Sequence, residues 1–190
     1  MAKRKLILIT GMSGSGKTTL AGMFEAKSYQ VVTMGDVIRD LASERGIEPT
    51  LTNLGSLAKE IREEGSMAAV AEKCVEKLGA MPDKKMVVDG IRSMNEVDVF
   101  AGSFDVDLVA VYASPRTRYR RLRDRHRTDD PADWKAFRVR DEGELGFSLG
   151  RAIALADHMV TNEGGLDDLA REFERLLSRL DRGDSKWKGL

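Results

Sequence analysis

A glycine-rich stretch near the start of the chain constrains its fold more than any other feature. Residues 11–18 read GMSGSGKT and match the pattern G-x-x-x-x-G-K-[ST] at every fixed position. The apolar run Leu6–Ile9 comes directly before this stretch, and Thr19–Phe24 follows it with apolar residues at helical spacing. The glycines allow the backbone to wrap closely around a phosphate chain, because they tolerate positive φ and carry no Cβ. The stretch and its flanks therefore predict a phosphate loop between a strand and a helix.

Residues of this loop have expected roles in binding ATP and Mg²⁺. Lys17 is expected to reach the β- and γ-phosphates and to act in catalysis, and Thr18 is expected to place its hydroxyl on Mg²⁺. The apolar segment Met86–Asp89 ends in a carboxylate, so Asp89 is the expected acidic residue on the metal side. The predicted ATP-binding residues of the loop are Gly11, Met12, Ser13, Gly14, Ser15, Gly16, Lys17, Thr18 and Thr19. The sequence thus predicts ATP and Mg²⁺ as cofactors.

Short apolar stretches alternate with helical patterns along the rest of the chain. The predicted strands are Leu6–Thr10, Tyr29–Thr33, Met86–Asp89, Leu108–Tyr112 and His158–Thr161. The alternation predicts βαβ units and a parallel sheet covered by helices on both faces. An amphipathic helix, Leu166–Leu180, follows the last strand, and Gly183 is expected to end it. We therefore predict an α/β fold, a P-loop NTPase three-layer sandwich with a five-stranded parallel sheet.

The length and the spacing of the strands predict one domain with two insertions. A chain of 190 residues suits a single P-loop domain over residues 1–190. The second and third predicted strands are separated by far more residues than one crossover needs. This spacing predicts a helical, acceptor-binding insertion over about residues 35–80, and a short lid is expected over about residues 128–146.

The composition narrows the possible partners. The chain has 31 basic and 31 acidic residues, so its overall charge does not indicate a polycationic nucleic-acid binder. Cys74 is the only cysteine, which excludes an internal disulfide and a cysteine-built zinc site and favours a buried, apolar role. The N-terminal apolar run is too short for a signal sequence or a membrane span, so we expect a cytoplasmic protein with no membrane partner. The oligomeric state stays open.

Charged residues after the second and third strands predict an acceptor site. Asp36 and Arg39 follow the second strand, and Arg92 follows the third. Because the carboxyl ends of parallel strands meet at one edge of the sheet, both arginines are expected to face the crevice and bind acceptor phosphate. Asp36 has two interpretations, a helix cap or a catalytic carboxylate that accepts a proton from a hydroxyl acceptor. Arg62 is a further candidate for substrate binding, on a helix that also carries ordinary surface charge.

The segment Arg116–Arg127 contains seven arginines in twelve residues. Tyr119 and Leu122 have the spacing of a buried stripe, which predicts a helix beside the phosphate loop with arginines around one side of it. Arg121 is expected to stack on the adenine of ATP, and Arg125 is expected to reach the phosphates and act in catalysis. A patch that binds nucleic acid is the less favoured alternative.

The segment Thr128–Gly146 is the predicted lid. An open site would let water compete with the acceptor for the γ-phosphoryl group, so a kinase of this shape needs a segment that closes over the phosphates. The segment presents Arg138 and Arg140 from a short helical middle, and it contains Pro131, Gly143 and Gly146 near its ends. Glycines at the edges can absorb a hinge change. We expect it to be mobile in the empty protein and to bring at least one of these catalytic arginines to the phosphates. The alternative is a solvated surface element.

Several short motifs, in their order along the chain, resemble the nucleoside monophosphate kinase superfamily. They are the phosphate loop, Gly35–Arg39, Asp89–Arg92, Arg121–Arg125 and Asn162–Gly164. The chain is more similar still to the archaeal adenylate-kinase-related, dephospho-CoA-kinase-like P-loop proteins, from about Ile7 through the last helix. The resemblance implies a kinase fold of the nucleoside monophosphate kinase type, in which Asn162 and Gly164 lie near the adenine of ATP. It also implies that Asp36, Arg39 and Arg92 border the acceptor pocket.

These observations predict an ATP-dependent phosphotransferase that moves the γ-phosphoryl group to a small, nucleotide-like acceptor, with a nucleoside monophosphate as the expected class. Adenylate kinases have a proline and one more residue between their aspartate-glycine pair and the following arginine, so the base of the acceptor stays open. Two alternatives remain open as well. One is a kinase that phosphorylates a hydroxyl group, as dephospho-CoA kinases do, and the other is an ATPase or RNA-binding switch module.

Overall fold

The computed structural model describes residues 3–64, 68–82, 85–125, 130–146 and 148–182. Within them lies one parallel sheet whose strands stand in the order β2, β3, β1, β4, β5. The strands are β1 Lys5–Thr10, β2 Gln30–Thr33, β3 Met86–Ile91, β4 Asp105–Tyr112 and β5 His158–Thr161. The helices are α1 Lys17–Ala26, α2 Met34–Glu44, α3 Leu51–Glu64, α4 Ala69–Gly79, α5 Met94–Ser103, α6 Pro115–Arg125, α7 Trp134–Gly146, α8 Leu149–Ala154 and α9 Leu166–Arg182.

The sheet separates two apolar layers. Alternate residues of β1 point to opposite faces, so Leu6 and Leu8 join one layer while Ile7 and Ile9 join the other. The first layer is completed by buried residues of α2, α3, α4, α5 and α8. The second is completed by α1 and α9, where the ring of Phe24 packs edge-on against that of Phe173 at 4.8 Å between centroids. This arrangement confirms the predicted three-layer α/β sandwich.

The amphipathic pattern of α9 explains how it covers the second layer. Leu169, Phe173, Leu176 and Leu180 recur at helical spacing and are all buried. Burying a large apolar side chain stabilises the fold by roughly 1.5–3 kcal/mol, so these four residues anchor the helix. The expected end at Gly183 lies outside the described residues. No helix in the described ranges is long and apolar enough to cross a membrane.

The strand boundaries agree with the sequence pattern at most ends. The two larger differences are the start of β4, which begins at Asp105 and not at the predicted Leu108, and the end of β3. Strand β3 continues past Asp89 to Ile91, because Gly90 adopts a φ of +104° and the pairing with β1 shifts register beside it. Asp89 therefore lies inside a paired, buried strand and not in a turn that follows one. Cys74 is fully buried on α4, and burial raises the pKa of its thiol to about 12, so the side chain acts as a small apolar group.

The strand order also determines where a ligand can lie. From β1 the chain crosses to β2 at one edge of the sheet and returns to β3, and the connection from β3 then passes β1 to reach β4 on the other side, so the direction of the connections reverses beside β1. In open parallel sheets the crevice at such a reversal, beyond the carboxyl ends of the strands, is the usual binding position. The glycine-rich loop leaves β1 at this point. Helices α2, α3 and α4 occupy the first predicted insertion, and the second insertion contains α7 and ends at Gly146, with residues 126–129 outside the described ranges.

Candidate functional site

The glycine-rich loop has the backbone conformation that wraps an anion. Gly11 and Gly16 adopt φ values of +145° and +102°, and a Cβ on either would collide with neighbouring atoms, on Val111 and Asn162 respectively. Gly16 is also the N-cap residue of α1, and no side chain caps this end of the helix. The first N–H groups of a helix have no partner within the helix and attract negative charge. The loop is therefore shaped to hold phosphate oxygens.

Lys17 folds back across the loop. Its Nζ donates hydrogen bonds to the carbonyl oxygens of Gly11, at 2.7 Å, and of Met12, at 3.1 Å. Burial lowers the pKa of this lysine, an effect that the carboxylates of Asp89 and Glu144 oppose. The ammonium group is thus held in a partly desolvated position beside the loop, where its attraction for an anion is stronger than in water.

Asp89 and Thr18 are the residues that the sequence predicts to bind Mg²⁺, and they lie next to each other beside the loop. The Thr18 hydroxyl donates to Oδ2 of Asp89 at 3.4 Å, whereas Oδ1 is buried and has no hydrogen-bond partner in the described part of the chain. Burial raises the pKa of Asp89, although the positive charge of Lys17 opposes the shift. A buried carboxylate oxygen without a hydrogen-bond partner lowers the stability of the fold unless a cation binds to it. Oxygen donors of this kind fit Mg²⁺, so the two residues can hold that ion.

The described residues offer no further cluster of metal-binding side chains. None of them form a group of three or more His, Cys, Asp or Glu residues with metal-site geometry. A magnesium ion beside Asp89 and Thr18 would therefore take its remaining ligands from water and from the phosphates of a nucleotide, as Mg²⁺ usually does.

The predicted acceptor residues lie at the carboxyl ends of β2 and β3. Thr33 is the N-cap residue of α2, and Asp36 completes its capping box. The carboxylate of Asp36 accepts hydrogen bonds from the backbone N–H of Thr33 at 3.2 Å, from the Thr33 hydroxyl at 2.6 Å, and from Arg39. Partial burial acts to raise the pKa of Asp36, but the hydrogen bonds from Thr33 and Arg39 outweigh it and hold the pKa below its ordinary value. The side chain of Arg62, on α3, is not among those that the structure describes.

Arg92 is exposed and lies beside the phosphate loop. It lines a cleft that also includes Gly11, Lys17, Gly90 and the carboxylate-bearing residue Glu144. Its backbone N–H donates to Oε2 of Glu96 at 2.7 Å, which fixes the turn into α5. Its guanidinium group has no carboxylate partner in the described part of the chain.

The residues predicted to lie near the adenine of ATP contact one another. The guanidinium of Arg121 donates to the backbone oxygens of Asn162 and Gly164, both at 2.9 Å, and to Oδ1 of Asn162 at 3.1 Å. Asn162 in turn donates from Nδ2 to the backbone oxygen of Ser15 at 2.8 Å. The structure thus brings Arg121, Asn162 and Gly164 together against the phosphate loop. Arg125, by contrast, forms an ion pair with Asp130 at the end of α6.

Helix α7 contacts the loop through a residue that the sequence pattern did not reveal. Glu144 accepts a hydrogen bond from the backbone N–H of Ser13 at 2.9 Å and another from the Ser13 hydroxyl. The predicted lid arginines lie beside carboxylates of the same helix: Arg138 is 3.8 Å from Glu142, and Arg140 is 3.6 Å from Glu144. Gly143 lies within the helix and Gly146 is its last residue, so both glycines of the expected hinge are helical.

Arg118 is a second residue that sequence reasoning missed. It is buried and forms a bidentate ion pair with Asp141 of α7 at 2.7 and 2.6 Å. It also donates to the backbone oxygens of Ser13, at 3.2 Å, and Ala113, at 3.1 Å, and its guanidinium lies 5.1 Å from the ring centroid of Phe137. The sequence pattern predicted only that the arginines of α6 lie around one side of the helix, and it gave Arg118 no role of its own. Arg118 is buried, because these partners replace water around its charge.

The parallel sheet carries a phosphate loop at its central strand and a buried acidic residue on the neighbouring strand, and cations surround the cleft. These features define a P-loop nucleotide-binding domain of the kinase type. Residues 7–142 match the AAA domain family of P-loop proteins. The chain belongs to the UPF0200 family of archaeal proteins. It is 48% identical to the UPF0200 protein of Hyperthermus butylicus, over 94% of this chain and 96% of that protein. It is also 40% identical to the UPF0200 protein of Methanocaldococcus jannaschii, over 96% of this chain and 94% of that protein.

Solved structures with the same fold include small-molecule kinases. A shikimate kinase from Bacteroides thetaiotaomicron superposes with a TM-score of 0.63 at 16% identity, over 95% of this chain and 99% of that chain. A gluconokinase from Sinorhizobium meliloti superposes with a TM-score of 0.54 at 19% identity, over 96% of this chain and 97% of that chain. At these identities the likeness shows a shared P-loop kinase fold.

Proposed function

We propose that this protein transfers the γ-phosphoryl group of ATP to a small, phosphorylated, nucleotide-like acceptor, with a nucleoside monophosphate as the expected class. The proposal includes a place among the adenylate-kinase-related, dephospho-CoA-kinase-like proteins within the P-loop kinases. The observation that carries it is the exposed guanidinium of Arg92, which has no carboxylate partner in the described ranges and opens into the cleft that also contains Lys17.

The electrostatics of the cleft support an anionic acceptor. The positive charge of Arg92 lies close enough to Lys17 to lower the pKa of that lysine further. Two cations that repel each other across a cleft are stabilised when an anion lies between them. A guanidinium group binds phosphate in a bidentate manner, so Arg92 is suited to hold a phosphate of the acceptor opposite the phosphate loop.

The residues of the loop would act by position and charge. Lys17 would neutralise charge on the β- and γ-phosphates, and the N–H groups at the start of α1 would hold the phosphate chain in line with the acceptor. Thr18 and Asp89 would hold Mg²⁺, which, when bound, supplies further neutralisation of the phosphate charge. We assign Arg121, Asn162 and Gly164 to the adenosine side of the donor. No covalent intermediate on the protein is required.

The hydroxyl-kinase alternative needs a carboxylate that accepts a proton, and the candidate is Asp36. Its carboxylate already accepts hydrogen bonds from Thr33 and Arg39, and its lowered pKa makes it a weak base. These contacts favour a structural role for Asp36 and a phosphorylated acceptor. The RNA-binding alternative has one supporting observation, because Arg116, Arg120 and Arg123 are exposed along α6.

An acceptor screen separates these functions. The protein would be incubated with ATP and Mg²⁺ and with each nucleoside monophosphate, dephospho-CoA or RNA in turn, and the products would be identified by mass spectrometry. We expect a phosphorylated product and an equal amount of ADP with at least one nucleoside monophosphate, and only background ADP without an acceptor. Phosphorylation of dephospho-CoA alone would favour the hydroxyl kinase. ADP formation that depends on RNA, with no phosphorylated acceptor, would contradict the proposal.

Replacing Arg92 with alanine is expected to weaken the binding of the acceptor and to leave the binding of ATP unchanged. Hydrogen bonds to a charged group contribute about 1.5–3 kcal/mol, so the KM for the acceptor should rise roughly ten- to a hundredfold. The KM for ATP should stay close to that of the parent, as steady-state kinetics with each substrate varied would show. Arg175→Ala is the matched control, because Arg175 is exposed on α9 and pairs with Glu172 of the same helix. A rise in the KM for ATP alone would indicate that Arg92 binds the donor nucleotide and not the acceptor.

A further inference from the structure

A carboxylate of α7 lies on the phosphate loop. Glu144 accepts hydrogen bonds from both the backbone N–H and the hydroxyl of Ser13, although the two residues are separated by 131 positions in the sequence. The side chain is mostly buried, with 16% of its surface exposed, and it is attracted by the charge of Lys17. A loop that is shaped to hold anionic oxygens therefore holds the oxygens of a residue of this chain.

The part of the loop that Glu144 contacts is the part that faces the far end of a nucleotide. In P-loop proteins the backbone N–H groups of the loop bind the α- and β-phosphates, which lie nearer the ribose. The lysine reaches the β- and γ-phosphates. Glu144 contacts Ser13, which lies early in the loop, and the charge of Lys17 attracts it. In the described part of the chain, the hydrogen bonds between Glu144 and the loop go to Ser13 and not to residues 16–18, at the start of α1. Its position matches that of a terminal phosphate and leaves the remainder of the loop open.

We propose that Glu144 is a specificity-determining residue that competes with the terminal phosphate of a nucleoside triphosphate for Ser13. This inference rests on the proposed nucleotide-binding function. A triphosphate must displace the carboxylate, because two anions cannot share one N–H donor and repel each other at this distance. A diphosphate can bind to the rest of the loop while Glu144 stays on Ser13. The residue therefore weakens the binding of ATP more than the binding of ADP.

The contacts around α7 allow this exchange without separation of the helix from the fold. The Arg118–Asp141 ion pair and the buried ring of Phe137 hold α7 against α6. Arg140 lies 3.6 Å from the carboxylate of Glu144 on the same helix. When a terminal phosphate takes the position on Ser13, a rotation of the Glu144 side chain can move the carboxylate toward Arg140, which keeps its charge paired.

The test compares the affinities of Mg·ATP and Mg·ADP by isothermal titration calorimetry in the parent protein and three variants. The apparent affinity of a ligand is reduced in proportion when only a fraction of the protein is competent to bind it. Removal of the competing carboxylate should therefore increase the apparent affinity for ATP. We expect Glu144→Ala to bind ATP about tenfold or more tightly than the parent, with a change of less than about threefold for ADP. The ATP affinity of Glu144→Gln should lie between that of the parent and that of Glu144→Ala, because the glutamine amide oxygen can still accept a hydrogen bond from Ser13 but carries no charge. The control is Glu142→Ala, because Glu142 is exposed on the same helix.

The outcomes separate this inference from the proposed function. Measurable ATP binding that is equal in the parent and in both Glu144 variants would overturn the competition and leave nucleotide binding standing. Equal tightening of ATP and ADP would overturn the assignment to the terminal phosphate. Weaker ATP binding in both variants would show that Glu144 assists the nucleotide, which also overturns the inference. Absence of nucleotide binding in the parent and in every folded variant would overturn the proposed function itself. Glu144→Gln keeps the shape of the side chain, so it provides the comparison if Glu144→Ala does not fold.

Discussion

Alanine at position 17 is expected to lower kcat for phosphoryl transfer on the order of a thousandfold, while the protein stays folded. A group aimed at the charge of the transition state typically contributes several kcal/mol to catalysis. In the empty protein the ammonium group of Lys17 contacts the backbone oxygens of its own loop. Its lowered pKa means that burial makes the charged form costly for the folded state at neutral pH. Alanine should therefore remove the activity with little change in the free energy of unfolding.

Two measurements test this expectation together. Turnover would be measured with saturating ATP and the acceptor found in the screen, and the free energy of unfolding would be measured by urea titration. Lys27→Ala is the control, because Lys27 is half exposed just after α1 and pairs with Glu174 on the protein surface. Turnover by Lys17→Ala at the rate of the parent would contradict the assignment of the catalytic lysine.

Replacing Arg118 with alanine is expected to lower the free energy of unfolding by about 3–5 kcal/mol, the usual range when one partner of a buried ion pair is removed. Only 4% of the side-chain surface of Arg118 is exposed, and 14% of that of Asp141. The substitution would leave the Asp141 carboxylate partly buried without its bidentate partner. It would also leave the backbone oxygens of Ser13 and Ala113 without the hydrogen bonds that Arg118 donates.

Urea titration of Arg118→Ala beside Arg116→Ala measures this loss. Both substitutions remove an arginine from α6, but Arg116 is exposed, and surface substitutions usually change stability by no more than about 0.5 kcal/mol. The expected result is a clear fall in the urea midpoint for Arg118→Ala and almost none for the control. Equal midpoints for the two variants would show that the ion pair contributes nothing to stability.

Features that depend on neighbours in the sequence could be predicted well. The phosphate loop is specified by local chemistry, because its glycines are needed at positive φ and its flanks have strand and helix periodicity. The five strands were predicted from apolar runs, and α9 was predicted from the recurrence of Leu169, Phe173 and Leu176 on one face. Cys74 was predicted to be buried because a lone cysteine usually acts as a small apolar residue, and it is buried. The sandwich fold needs only these local patterns, since alternating strands and helices have few ways to cover a parallel sheet.

The local boundary errors have local causes. A carboxylate followed by glycine, as at Asp89, is typical of a turn, but β1 pairs with β3 beyond that point and extends the strand to Ile91. In α7 the glycines at positions 143 and 146 suggested a hinge, yet Gly143 lies within the helix and Gly146 is its last residue. Tertiary context outweighs the modest cost of glycine within a helix, which is about 1 kcal/mol.

The assignment of charged side chains to partners was decided by the tertiary structure alone. The carboxylate on Ser13 belongs to Glu144, 131 positions away, and the side chain that holds the backbone of Ser15 belongs to Asn162, 147 positions away. In the sequence, Glu144 is one of several acidic residues in a mixed-charge segment, and Arg118 is one of several arginines in a basic one. Periodicity states which side of a helix a residue occupies, but not which charge lies opposite it. That pairing depends on how α6 and α7 pack against the phosphate loop, because charges interact through space and their separation along the chain has no part in the energy.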